Sequence, residues 1–397
     1  MQVRSVMTRK LRAAFIANGN PRDIKLWSGT PHHMLEALER QFDVTLVIEQ
    51  VWAAWYRPLG RTAKLLTGGR FEYSWSRFYS RLAAAHTIRK LEAARPDVVF
   101  AVALTDAAYL FTERLPVVTI TDAVIPDLVE YYDMFRQLSK TAKRKARVAE
   151  HRAFHESLLV HLPSHWACRS AIEKQGVPAE QVVQIAWGAN MPPERRPPRQ
   201  LGGGPVRLLF VGTDWKRKGG QVALSAVRAL AERGIESSLD IVGCSEEVLQ
   251  GASPPPNVTF HGFIDKSSPA DQATLDRLYS EASFFILPTA AEAWGIVFAE
   301  AAHHGLPSLG YATGGVTTVV SDGETGILLP VGSSGDTFAS HIEALLNHPA
   351  AYERMSAAAL EDAANRLDWQ VWAAKLERVV RQRLDLGRSP IQQPACS

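Results

Sequence analysis

Cysteine is scarce in this chain of 397 residues: Cys168, Cys244 and Cys396 are odd in number and far apart. That spacing supports neither a disulfide framework nor a zinc site, and it points to a reduced compartment. No run of eighteen apolar residues occurs, so no bilayer-spanning helix is expected. FIANGNPRD and FVGTDWKRK, each following a strand pattern, both lack G-x-G-x-x-G, which argues against a dinucleotide-dependent oxidoreductase. The second is not a P-loop either, since no Gly-Lys-Ser/Thr follows at the right spacing. No metal-ligand cluster is visible: His32–His33 and His303–His304 are adjacent pairs whose side chains diverge on a helix, expected on helix surface and in turn packing. With 46% apolar and 21% charged residues, a large core is available, and disorder, collagen and coiled coil are excluded as the main state.

The opening stretch MQVRSVMTRKLRAAFIANG has a basic lead and a short apolar run, which reads as a first strand rather than a signal segment. A cytoplasmic protein is expected. The net charge of +3 hides an asymmetry: residues 1–200 hold 29 Lys and Arg against 19 Asp and Glu, residues 201–397 hold 15 against 22. Halves of opposite sign suggest two domains with different partners, the basic one suited to phospholipid, nucleic acid or an acidic saccharide.

Short β-branched runs alternate with helical patterns in both halves. LRAAFIA, VTLVIE, DVVFAVA, PVVTIT and SLLVHL read as buried strands in the first half; VRLLFVG, SLDIVG, NVTFHG, SFFILP and PSLGY do so in the second. Near-continuous apolar strands separated by helices indicate parallel sheets covered on both faces. The Pro- and Gly-rich segment 192–205 reads as a linker between two doubly wound α/β domains, 10–191 and 206–366. A last helix, 367–386, carries Val371, Trp372, Leu376 and Val379 at helical spacing and is expected to cross back onto the first domain.

Two segments bear chemistry. LLFVGTDWKRKGG (208–220) joins a strand, a glycine turn at Gly212, three cations and a glycine pair opening a helix. A cationic loop beyond a strand's carboxyl end, leading to a helix N-terminus, suits a diphosphate. The alternative is a solvated turn. LPTAAEAWGIVFAEAAHHGLP (287–307) places Glu292 just after a strand and Glu300 on an otherwise apolar helix begun by Gly295. A carboxylate on that face must be hydrogen-bonded, because an unpaired buried charge is costly, and sugar or ribose hydroxyls are natural donors to it. Amide groups from Gly295 to Val297 can receive an anion.

In order, VGTDWKRKGG, LDIVG, NVTFHGFID, ILPTAAEAWGIVFAEAAHHGLP and TGGVTTVVSDGETGILLP resemble the donor domain of the family 4 glycosyltransferases. WSGTPHHMLEALE and SHWACRSAIEKQGVPAEQVVQIAWGAN resemble the family's first domain more loosely. The resemblance implies GT-B architecture, with two Rossmann-like doubly wound parallel-sheet domains facing a central cleft. It implies a retaining, metal-independent transfer of a hexosyl group from a UDP- or GDP-sugar to a saccharide or lipid-linked acceptor in cell-surface polysaccharide or glycolipid synthesis. No cofactor is then needed. Under it Glu300 binds the ribose hydroxyls and Glu292 the donor sugar. Backbone amides of Trp294, Gly295, Ile296 and Val297 lie near sugar and phosphate, and Lys218 with Arg217 holds the diphosphate. Gly29 brings backbone close to the phosphates, and Phe263 and Ile264 border the base.

Two positions depart from the family pattern. Thr213 stands where an arginine is usual, leaving Lys216 or Arg217 to supply the second cation. Thr121 replaces a first-domain histidine, which makes the following Asp122 the acceptor-side candidate. Transfer passes through an oxocarbenium-like state while charge builds on the departing diphosphate, which fixed cations and amides stabilise. Closure about 192–205 would exclude water. The alternatives are a GT-B epimerase or phosphorylase, or a non-catalytic protein that binds anionic surfaces.

Two basic stretches stand out in the first half. Residues 52–81 interleave Trp52, Trp55, Tyr56, Phe71, Tyr73, Trp75, Phe78 and Tyr79 with Arg57, Arg61, Lys64, Arg70, Arg77 and Arg81. Arg136, Lys140, Lys143, Arg144, Lys145, Arg147 and Arg152 fall on one predicted helix. Basic amphipathic helices can lie on anionic membranes, here at the inner face. Core aromatics beside a solvated face are the other reading. No nucleic-acid-binding module is present.

Overall fold

The computed structural model describes residues 9–68, 77–105, 107–136, 139–192, 196–202 and 204–388. The chain divides into two compact units. The first runs to Leu162, adds Cys168–Ile185 and takes up the chain again from Trp372; the second comprises Pro163–Ala167 and Ala186–Val371.

Each unit is built on a six-stranded parallel sheet. In the first, β1 (Arg12–Ile16), β2 (Asp43–Ile48), β3 (Val98–Val102), β4 (Val117–Ile120), β5 (Leu159–Leu162) and β6 (Val182–Gln184) stand in the order β2-β1-β3-β4-β5-β6. In the second, β7 (Val206–Val211), β8 (Ser237–Val242), β9 (Val258–Gly262), β10 (Phe284–Leu287), β11 (Ser308–Tyr311) and β12 (Gly326–Leu329) stand in the order β12-β11-β10-β7-β8-β9. Central strands such as VVFAV of β3 and FFIL of β10 are buried along their whole length, as helices on both faces require. All ten strands read from sequence are present. The other two, β6 and β12, are edge strands of three and four residues whose burial is only partial.

Helices begin where a short polar side chain can take an orphan amide. Ser139, Asp214, Ser268 and Ser334 accept from Ala142, Arg217, Asp271 and Thr337 respectively. The Ser139 cap breaks the predicted basic helix: Arg136 ends a separate one-turn helix, Asp133–Arg136, and the long helix is Lys140–Glu156. The last helix is Trp369–Arg388. Its buried stripe is Trp372, Ala373, Leu376 and Val380, so Val371 and Val379, taken as stripe positions from sequence, are only half-buried. In the first unit the Trp372 indole N–H donates to His161 Nε2 of β5 at 2.7 Å, and His161 Nδ1–H donates to Val183 O at 3.1 Å. Burial pushes the His161 pKa down to about 4.

Within 192–205, residues 196–202 are tied to the second unit. The Arg199 guanidinium donates to the carbonyls of Tyr279 (2.6 Å), Ser280 (3.0 Å), Ala282 (2.6 Å) and His304 (2.7 Å). These carbonyls lie at or just past the ends of the helices Pro269–Glu281 and Ile296–His303, where unsatisfied acceptors and the helix dipole favour a cation. Arg196 pairs with Asp276 at 2.7 Å.

Candidate functional site

In the second sheet, strand order reverses between β10 and β7, and in such sheets ligands bind beyond the carboxyl ends of the strands at that point. The loops leaving β7 and β10 carry the two chemistry-bearing segments. After β7, Gly212–Asp214 lead into the one-turn helix Trp215–Lys218. After β10, residues 288–294 lead into Ile296–His303, whose N-cap is Gly295 at φ +89° with no side-chain cap.

The β7 loop is held by close packing. Gly219 has φ +77°, and a Cβ there would lie 2.1 Å from Pro288 O; a Cβ on Gly220 would lie 2.1 Å from the Trp215 ring. The glycine pair thus brings the loops after β7 and β10 into contact, and Gly220 at the head of the following helix is buried. The three cations do lead to the head of the helix Gly220–Glu232, whose N-cap Gly219 has no side-chain cap, but from a turn of helix rather than from a loop. The cations occupy a helical turn of their own, capped by Asp214.

Lys218 and Glu292 meet directly. Lys218 Nζ donates to Glu292 Oε2, and both side chains are 12% exposed. Arg217 NH1 stands 3.8 Å from the same carboxylate oxygen and donates to Ala291 O at 2.9 Å, while its Nε donates to Asp214 Oδ2 at 3.1 Å. The Lys218 stem lies on Gly212, where a Cβ would stand 3.0 Å from Lys218 Cγ. Lys216 and Thr213 are exposed. The adjacent Arg217 and Lys218 and the distant Glu292, 74 positions beyond Lys218, form one cluster.

Glu300 is 0% exposed and fully partnered. Tyr279 Oη donates to Oε2 at 3.1 Å, and Lys266 Nζ donates to Oε1. Burial and the facing carboxylate hold the Tyr279 pKa well above its ordinary value. Tyr279 stacks on His304 at 4.9 Å; His304 Nδ1 lies 3.0 Å from Glu300 O and Nε2 lies 2.9 Å from Asp276 Oδ1. His303 Nε2 lies 2.9 Å from Leu367 O. This second histidine pair is thus buried packing and not helix surface. Neither Lys266 nor Tyr279 was named from sequence. A cation in a turn reads as solvated, although the need for partners at Glu300 was legible.

The remaining candidates are placed as follows. Phe263 is exposed and Ile264 half-buried, just past β9. Ile296 and Val297 are half-buried, and Trp294 is buried, its indole N–H unpartnered among the described residues. Gly29 and Asp122 belong to the first unit. Gly29, at φ +86°, is the N-cap of Thr30–Gln41 in the connection leaving β1, and Asp122 follows β4. The helix after Asp122, Ile125–Tyr131, has Val124 at its N-cap position. Glu150 receives the Ile125 N–H at 2.8 Å; burial raises its pKa to about 8. Among the described residues no group of three or more His, Cys, Asp or Glu could hold a metal.

The family model of glycosyl transferases group 1 matches residues 205–348. The chain is 27% identical over 275 residues to the D-inositol 3-phosphate glycosyltransferase of Corynebacterium aurimucosum, covering 64% of each chain. It is 31% identical over 236 residues to the phosphatidyl-myo-inositol mannosyltransferase of Mycobacterium leprae, covering 57% of this chain and 60% of that one. The chain thus spans less than two thirds of the length of these relatives. Its fold is shared with Anabaena HepE, solved in complex with UDP and glucose, at a TM-score of 0.63 and 17% identity over 94% of this chain and 100% of that chain.

Proposed function

The chain belongs to the family 4 glycosyltransferases, and from that premise we propose that it transfers a hexosyl group from a UDP- or GDP-sugar to a saccharide or lipid-linked acceptor with retention and without a metal. The observation that carries the reading is the Lys218–Arg217–Glu292 cluster at the strand-order reversal of the second sheet. Lys218 and Arg217 offer cations to a departing diphosphate, and Glu292, beside them, is an acceptor for donor-sugar hydroxyls. Fixed charges of this kind act without reorganising as the leaving group gains charge, and loss of one typically costs about 10²–10³ in turnover. The names of the relatives support an acceptor that is a polyol carrying phosphate, free or in a lipid, and the excess of basic residues in the first half suits that charge.

Release of UDP or GDP from a panel of nucleotide sugars tests the reading, run with and without inositol phosphate or phosphatidylinositol and with and without a chelator. Acceptor-dependent release that withstands the chelator, falls at least a hundredfold in Lys218→Met and gives an α-anomeric product by NMR is expected. Release that ignores every acceptor would overturn the transfer reading, and conversion of the nucleotide sugar without release would move it to the epimerase alternative.

A second part of the proposal places the first unit on an anionic membrane. Among the described residues no helix is long and apolar enough to cross a bilayer. Helix Tyr56–Leu66 and the neighbouring Arg77–Ala83, however, expose Leu59, Leu65 (81%), Leu66 (82%), Phe78 (81%) and Leu82 beside exposed Arg57, Arg61 and Arg81. Trp52 and Tyr56 are core residues, stacked at 4.5 Å. Arg70, Phe71, Tyr73 and Trp75 lie outside the described residues, and the side chains of Lys64, Arg77 and Tyr79 are likewise not described. The helix Lys140–Glu156 is the weaker candidate: Arg152 is tied to Glu156, Arg147 to Lys174 O, and Lys143 to Arg136 O. Each cation near an anionic surface contributes about 1 kcal/mol. Leu65→Ser/Leu66→Ser should abolish sedimentation with phosphatidylglycerol vesicles at low salt; wild type that fails to sediment removes this part alone.

A further inference from the structure

Glu300 is sealed beside the partly exposed side chain of Lys266. Glu300 is 0% exposed with both oxygens engaged, whereas the Lys266 side chain is 24% exposed. Lys266 is held in a built loop. Gln272 Nε2 donates to its carbonyl, Asp265 N–H donates to Asp271 Oδ2 at 3.0 Å, Ser267 N–H donates to Asp265 Oδ1 at 2.9 Å, and Ser268 caps the next helix. The loop follows directly on Phe263 and Ile264, past β9 on the carboxyl edge of the sheet. A ligand approaching Glu300 along that edge meets the Lys266 side chain before the carboxylate.

We propose that Lys266 is a nucleotide-binding residue of this protein, whose ammonium and the Glu300 carboxylate together grip the vicinal hydroxyls of the donor's ribose. The proposal rests on the donor reading above and assigns the pair a division of labour. An ionised carboxylate has about four acceptor positions over its two oxygens, so once the partly exposed Lys266 side chain shifts aside Glu300 can accept from one hydroxyl while keeping Tyr279. An ammonium has three donors and no acceptor, so Lys266 donates to the other hydroxyl's oxygen. A lone carboxylate would take both hydroxyls as donors; the dyad takes one as donor and one as acceptor. The pair therefore distinguishes the two hydroxyls by role.

Calorimetric titration with UDP, GDP and the 2′-deoxy and 3′-deoxy forms of each tests this, on wild type, Lys218→Met and Lys266→Met. Hydrogen bonds to charged groups imply a loss of about tenfold to a hundredfold per contact. Wild type should bind one of the two diphosphates and lose at least tenfold on removal of either hydroxyl. Lys266→Met should bind at least tenfold more weakly and show a reduced penalty for one deoxy form while keeping the other. Lys266→Met matching wild type in affinity and in both deoxy penalties, with Lys218→Met still impaired, overturns the role of Lys266 and leaves the donor reading standing. Wild type that binds neither diphosphate overturns both. Should Lys266→Met fail to fold with Glu300 uncompensated, Lys266→Met/Glu300→Gln carries the test: it should lose both deoxy penalties, and retention of wild-type discrimination would overturn the proposal.

Discussion

Breaking the Lys218–Glu292 pair from each side should give unequal costs that do not add. The two side chains are each 12% exposed, so neither charge is left dry when its partner goes, and the roughly 3–5 kcal/mol cost of orphaning one member of a buried pair is an upper bound. Lys218→Met leaves Glu292 with a second cation, Arg217 NH1 at 3.8 Å, so a cost of about 2 kcal/mol is expected. Glu292→Gln leaves the Lys218 ammonium beside Arg217 without its carboxylate, and about 3 kcal/mol is expected. The double variant orphans neither charge and should cost about 2 kcal/mol, giving a coupling of about 3 kcal/mol. Urea unfolding of the three variants and wild type, with m-values compared to check two-state behaviour, measures the cycle. Additivity within about 0.5 kcal/mol would show that the pair carries no energy in solution, and Lys218→Met costing more than Glu292→Gln would show that Arg217 does not back it up.

Three further perturbations test other parts of the structure. Gly219→Ala places a Cβ 2.1 Å from Pro288 O at φ +77°, whereas Gly234→Ala at φ +73° meets nothing within 4 Å; Gly219→Ala should lower the Tm by several degrees more than Gly234→Ala and weaken nucleotide binding with it. His161 sits at about 4 folded against 6.5 unfolded, so its contribution is present above pH 6.5 and is lost as pH falls toward 4, at most about 3 kcal/mol; His161→Gln should flatten that limb of the urea-midpoint profile. Glu150 has the opposite sign: with the folded pKa raised from 4.5 to about 8, its contribution is fully present below pH 4.5 and lost as pH rises through 8, a loss Glu150→Gln should remove.

What the sequence made legible follows from which interactions are local. Strands such as FFILP are buried on both faces and announce themselves as apolar runs, and Gly295 before an apolar helix marks its start. Strand β6 (Val182–Gln184) fails that test because an edge strand of three half-buried residues needs no apolar run. The break at Ser139 is written in its capping side chain but hidden by Arg136 before it and the run of basic residues after it. Glu292 and Glu300 could be singled out as carboxylates in apolar surroundings. Their partners Lys218 and Lys266 lie 74 and 34 positions away in sequence, and only the sheet order brings them to the same edge.

The two dyads differ in a way that bears on how a charged donor could be received. Lys218 and Glu292 are equally and partly exposed, both on connections that follow adjacent strands, so a diphosphate can compete for the ammonium while Arg217 holds the released carboxylate. Glu300 has no such latitude, because its helix buries it and Tyr279, packed on His304, fixes one oxygen. Exchange of ion-pair partners is inexpensive where water still reaches both groups and expensive where it does not. The Lys218 side is therefore the one whose pairing changes on binding, and the Glu300 side is the fixed reference. Salt should weaken nucleotide diphosphate binding through Lys218 and Arg217 while the deoxy penalty set by Lys266 and Glu300 stays constant. Titrations at 50 mM and 500 mM salt separate the two: a deoxy penalty that shrinks in step with overall affinity would mean that both dyads are equally pliable.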